Sequence, residues 1–171
     1  RARLRDLVGD DAGGVTVATY HSFAMRLTGR SLAEPGRTFE RDPAKGDTLF
    51  KEIIRQAVDQ LLGKEDLAGT AGDDSRSRLL AGFQYILVDE YQDIDSDQYE
   101  FIAALAGMRV EERDERLTIL AVGDDDQNIY AFRGANVEFI RRFKADYDAS
   151  IHHLVENYRS TANIIEASNA L

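Results

Sequence analysis

Two patterns of apolar residues alternate along this chain. The first is the short unbroken run. Residues 15–19 are β-branched and lead into Tyr20-His21-Ser22, residues 85–88 (Tyr-Ile-Leu-Val) are cut off by carboxylates, and residues 117–122 stop at Gly123. Runs of this kind suit strands covered on both faces, as in a parallel sheet. Residues 151–155 are a weaker strand pattern, interrupted by His152 and His153. The second is helical spacing, found over residues 23–27, 97–105 and 137–143, and from Ser160 onward with Ser160 or Thr161 as N-cap. The alternation predicts an α/β domain with a mainly parallel sheet.

Residues 31–78 interrupt this order. They hold both prolines, Pro35 and Pro43, several glycines, and one amphipathic helical pattern over about 48–62. Residues 69–75 (Gly-Thr-Ala-Gly-Asp-Asp-Ser) read as a loop or linker. The expected organisation is therefore residues 1–30 as the start of the α/β domain, 31–78 as a small, mostly helical insertion, and 79–171 as the domain core.

Composition narrows the class. With 43% hydrophobic and 30% charged residues over 171 positions, the chain suits one compact domain with a substantial core. No apolar run reaches the roughly 20 residues of a membrane-spanning helix, and no signal-peptide pattern follows the basic start. The absence of cysteine excludes thiolate metal sites and disulfides. The expected location is cytoplasmic, with no membrane partner. A net charge of −10 argues against a free-standing binder of duplex DNA, since phosphates reward clustered Lys and Arg. It argues less against one wall of a larger cleft. The first residue is not methionine and the last four, Ser-Asn-Ala-Leu, contain no helix breaker, so the expectation is a piece of a longer chain.

Candidate chemistry sits past the two strongest strand patterns. Asp89 and Glu90 directly follow residues 85–88, and in open α/β sheets the carboxyl ends of strands line the ligand crevice. An Asp there can hold Mg²⁺, a hard cation that takes oxygen ligands and keeps several waters. Its neighbour could orient or deprotonate a water, and metal plus oriented water is the machinery of nucleotide hydrolysis. Alone, the block reads equally well as a solvated acidic turn, with Asp95 or Ser96 capping the next helix. After the second strand come Asp124, Asp125 and Asp126, costly together unless solvated, hydrogen-bonded or near a cation, and then Gln127. Tyr130, Phe132 and Arg133 offer flat faces and a guanidinium, a combination that stacks on unpaired bases; either aromatic could equally be core.

Together these strings resemble a known family. VDEYQD at 88–93, VGDDDQNIYAFRGA at 122–135 and ENYRST at 156–161 are similar to three consecutive motifs of the UvrD/Rep/PcrA helicases, and TYHSF at 19–23 is similar to an earlier single-strand-contacting motif of that family. The resemblance implies a P-loop NTPase (RecA-like) fold, here an incomplete first motor domain, with ATP and Mg²⁺ as cofactors. It implies single-stranded DNA and the remaining helicase domains of the parent chain as partners, and 3′-to-5′ movement. It further implies that Asp89 coordinates the magnesium, Glu90 activates the hydrolytic water, and Gln127 senses the γ-phosphate. Arg133 would couple that segment to the catalytic acid, Arg159 would reach the γ-phosphate, Tyr130 and Phe132 would stack on bases, and Thr19 and His21 would lie along the DNA path. A histidine capping the strand-to-helix turn is the competing reading of His21.

The sequence departs from the family in several places. Phe132 stands where Trp is common, Tyr91 where Phe is common, and only 68 positions separate His21 from Asp89, so the accessory insertion is expected to be reduced. The G-x-x-x-x-G-K-[ST] phosphate loop is missing: Gly63-Lys64 is followed by Glu65. The fragment alone is therefore expected to be a poor ATPase. Rival readings are the motor of a RecB/AddA-like helicase–nuclease, a non-catalytic single-strand-binding module, and a purely structural acidic α/β protein.

Overall fold

A computed structural model of the chain describes residues 2–30, 43–63, 73–111, 113–128 and 134–170. Its helices are α1 (Ala2–Val8), α2 (Tyr20–Leu27), α3 (Pro43–Leu61), α4 (Asp73–Leu79), α5 (Ser96–Ala106), α6 (Glu138–Tyr147) and α7 (Ala162–Asn169). Two strands, β1 (Tyr85–Val88) and β2 (Thr118–Ala121), pair in parallel with Tyr85 opposite Thr118 and Val88 opposite Ala121. The β1–α5–β2 order is the crossover that parallel pairing requires. The observed class is thus mixed helix and strand with a small parallel sheet.

Among the described residues, one face of the sheet is covered. Ile86, Val88, Ile119 and Ala121 pack into the core, while Tyr85, Leu87 and Leu120 stay exposed, Leu87 at 73%. The expectation of strands covered on both faces fails among the described residues, because no helix or strand lies over the second face.

Two other strand expectations fail as well. Residues 15–19 have no ladder partner among the described residues; Thr19 is instead the N-cap of α2. Its hydroxyl accepts from the Ser22 N–H at 3.3 Å, while Ser22 Oγ accepts from the Thr19 N–H at 2.9 Å. This reciprocal box satisfies amides that have no partner inside the helix. Residues 151–155 are exposed throughout and have no ladder partner among the described residues. A β-branched run becomes a strand only where a neighbour supplies the ladder.

Helix α3 carries Ile53, Ile54, Ala57, Val58 and Leu61 on one stripe, the spacing of an amphipathic helix. The stripe packs with α2, α5 and Leu80 around Phe101, so the helix expected within residues 31–78 shares the core of the sheet-bearing part. Residues 73–75, read as linker, begin α4. A second cluster, of Val88, Tyr91, Ile94, Ile102 and Phe139, fills the space between β1 and α6. Helix α5 serves both clusters, Phe101 facing one and Ile102 the other.

Helix α5 is capped at both ends. Asp95 accepts from the Gln98 N–H at 2.9 Å, and Gln98 Oε1 accepts from the Asp95 N–H at 3.3 Å. At the other end the chain turns at Gly107, with φ 76°, where a side chain would be strained. The guanidinium of buried Arg76 donates there to the carbonyls of Ala104 (3.2 Å) and Leu105 (2.7 Å) and to that of Glu115 (2.8 Å). Burial pulls its pKa down, partly offset by the charge of Glu115. These charge-assisted bonds satisfy C-terminal carbonyls that the helix cannot.

Candidate active site

Because β1 and β2 run parallel and in register, the loops after Val88 and Ala121 leave the same edge of the sheet. The ladder continues into them: the Val122 N–H donates to the Val88 carbonyl and the Tyr91 N–H to the Val122 carbonyl, each at 2.9 Å. The Asp89–Glu90 pair and the Gly123–Gln127 segment are thereby fastened side by side.

Glu90 is left-handed, with φ 52° and ψ 45°. That region is sparsely populated by non-glycine residues and costs on the order of 1–2 kcal/mol, so its surroundings must hold it. The Glu90 N–H donates to Asp89 Oδ1 at 3.1 Å, and Glu90 Oε2 accepts from Gln92 Nε2 at 2.9 Å. Both carboxylates remain exposed, so incoming groups can reach them. Among the described residues, Asp89 Oδ2 takes no hydrogen bond. An exposed carboxylate with an oxygen to spare, beside a second carboxylate, fits Mg²⁺, which needs one or two such ligands and keeps its waters.

In the second loop Asp124 caps a short 3₁₀ turn, Asp125–Gln127. Its Oδ1 accepts from the Asp126 N–H at 3.1 Å and its Oδ2 from Gln127 Nε2 at 2.7 Å. Asp125 pairs with Arg141 at 3.1 Å. The three aspartates bring carboxylate oxygens within 4.8 Å of one another, all exposed. One of them holds the turn and another a helix, so their charge is already used in part.

Gln92, a residue that no local pattern singled out, is only 1% exposed. Its Oε1 accepts from the Asp124 N–H at 3.1 Å while its Nε2 reaches Glu90. Asn128 Nδ2 donates to its carbonyl. The one sequence signal was a neutral amide set between acidic residues directly after a strand. Asp93, next to it, has its carboxyl pKa raised by burial first and by the charge of Glu90 second.

The 19–21 segment lies beside this edge. Tyr20 packs against both hydrophobic clusters. Burial, then the charges of Asp89 and Asp95, push its phenol up to about 12. Thr19 is used as the helix cap, and the His21 ring stands 4.6 Å from that of Phe50. Arg159 is exposed, its backbone N–H bound to Asn157 Oδ1 at 2.9 Å. Among the described residues no hydrogen bond or ion pair joins Arg159 to Asp89, Glu90 or Gln127. Tyr130, Phe132 and Arg133 lie outside the described residues.

Residues 47–148 match the UvrD/REP helicase N-terminal domain family, and the chain belongs to that family. It is 44% identical to the ATP-dependent DNA helicase PcrA of Staphylococcus epidermidis over 99% of this chain and 31% of that protein. It is 49% identical to DNA helicase II of Escherichia coli over 52% of this chain and 12% of that protein. Against the ATP-dependent DNA helicase Rep of Escherichia coli the figures are 38%, 82% and 20%. The chain spans about a third or less of the length of these relatives. No helix among the described residues is long and apolar enough to cross a membrane.

Proposed function

We propose that this chain is part of the first RecA-like, P-loop motor domain of a cytoplasmic, ATP-dependent DNA helicase. Its parent couples hydrolysis of Mg-ATP to 3′-to-5′ movement along single-stranded DNA. The observation that carries this reading is the fastening of Asp89–Glu90 beside Asp124–Gln127 at the carboxyl edge of two parallel strands, in a chain of this family. The phosphate loop and the second motor domain come from elsewhere in the parent, so the chain alone turns over ATP poorly.

The roles follow from position and chemistry. Asp89 would hold Mg²⁺, and the ion, when bound, would supply charge neutralisation for the β- and γ-phosphates. Glu90 accepts a proton from a water as its oxygen bonds to the γ-phosphorus and the bridging P–O bond breaks, leaving ADP and inorganic phosphate. Gln127 can turn its amide from Asp124 to a γ-phosphate oxygen. Arg159 and Arg133 supply planar donors suited to phosphate and carboxylate. Thr19, His21, Tyr130 and Phe132 form the single-strand path. Division of the chain at residues 31–78 stays part of this proposal. The alignment with PcrA covers 232 residues against the 171 of this chain, which supports a shortened segment here.

Glu90→Gln in the full-length protein tests the reading. Nucleotide binding, followed with a fluorescent ATP analogue, is expected to persist, while DNA-stimulated turnover falls about 100- to 10,000-fold. Turnover within a few-fold of the unmodified enzyme removes Glu90 from the chemistry.

A further inference from the structure

We propose that Gln92 is a positioning residue that fixes the Glu90 carboxylate relative to the Asp124–Gln127 turn, so that the γ-phosphate contact and the hydrolytic base move together. The inference rests on the proposed role of Glu90 as base.

Three hydrogen bonds form an unbroken line between the two. Gln127 Nε2 donates to Asp124 Oδ2 at 2.7 Å, the Asp124 N–H donates to Gln92 Oε1 at 3.1 Å, and Gln92 Nε2 donates to Glu90 Oε2 at 2.9 Å. The orientation of the amide is fixed by its neighbours, since an N–H can face only the oxygen and a carboxylate only the nitrogen. A longer contact of 3.5 Å runs from the same nitrogen to Asp93 Oδ2.

The slot is built for this side chain. A Cβ on Gly123 would stand 2.5 Å from Gln92 Oε1 and 2.8 Å from Ile140 Cδ1, closer than real contacts allow. The loop therefore gives up a side chain where the carboxamide lies. Nothing about packing requires an amide here, because an apolar residue of the same length fills the volume equally well. An amide is required to join one carboxylate to one backbone N–H. Being neutral, it orients Glu90 without setting an opposing charge beside it. Being buried, it exchanges little with water and keeps its geometry.

Gln92→Met in the full-length protein keeps the length and removes both bonds. Turnover of Mg-ATP with single-stranded DNA is expected to fall on the order of 100-fold, the cost of an ångström of misplacement. KM and the Kd of a fluorescent ATP analogue should stay within about two-fold, the pattern of a lost transition-state interaction. In a Glu90→Gln background the same substitution should cost nothing further, since residues acting as one unit are not additive. Gly123→Ala displaces the carboxamide without removing it and should give the same split; it carries the test if Gln92→Met does not fold. Turnover retained in the folded variant, a loss confined to KM, or losses that multiply with Glu90→Gln overturn the positioning role. If Glu90→Gln itself leaves turnover intact, the role of Glu90 as base fails, a separate and recognisable result.

Discussion

Residues 89–93 and 123–128 are tied together by main-chain and side-chain hydrogen bonds, while residues 156–161 are exposed along almost their whole length. Both regions carry family motifs. The first pair takes its position from the sheet, through main-chain bonds that continue the ladder and through Gln92. Among the described residues the second is shaped by its own hydrogen bonds: Asn157 Oδ1 accepts from the N–H groups of Arg159 and Ser160, and the Tyr158 hydroxyl donates to Glu156. An Asx turn gives a loop a shape but no address. A strand end gives both. In the proposed function, the half of the site assigned to metal and water is held by the sheet, and the half assigned to the phosphate is not.

Substitutions test that contrast. Ile102→Ala, in the cluster that holds Val88 and Tyr91 behind the fastened loops, is expected to destabilise by about 2–5 kcal/mol. Urea unfolding followed by circular dichroism measures it, and a loss under 1 kcal/mol would mean that the loops do not depend on this core. Arg159→Ala is expected to leave the unfolding midpoint unchanged while cutting ATP turnover of the full-length protein by about 100- to 1,000-fold, the loss that follows removal of one donor to developing transition-state charge. A shifted midpoint with normal turnover would reverse the assignment.

Alkali separates the regions next. Tyr20 holds its proton to about 12 in the fold against 10.0 ordinarily. A raised pKa of this kind contributes stability in full below pH 10 and loses it as pH rises toward 12. Absorbance near 295 nm should show Tyr20 ionising late, at the pH where the fold gives way. The smallest effect is expected from Tyr158→Ala, within about 0.5 kcal/mol of the parent stability, as for an exposed side chain away from packed features. Calorimetry that found more would place Tyr158 in a packed interface.

What could be read from sequence was what local pattern determines. The apolar runs ending in Asp89 and Gly123 are strands, and their parallel pairing followed from the alternation of strands and helices. Helix α5 was legible from its apolar spacing and Asp95. The 15–19 run misled because its β-branched residues fit a strand, whereas Thr19 serves as a cap. One-sided coverage of the sheet among the described residues was hidden for a similar reason: Leu87 and Leu120 look like core residues in sequence, yet both are exposed. Gln92 was invisible because its partner Asp124 lies 32 positions away, and no periodicity records such a bond.

Arg76 has a consequence for the order in which the chain folds. Its guanidinium meets carbonyls 28, 29 and 39 positions further along. A charge of this kind gives up its water only when all three acceptors are assembled, since partial burial leaves it unpaired. The contact is therefore expected to form after the rate-limiting barrier. Arg76→Met should accelerate unfolding while leaving the refolding limb of a chevron nearly unmoved. On that view Arg76 acts as a latch on a native state already reached, setting how long the domain lasts once folded more than how fast it forms.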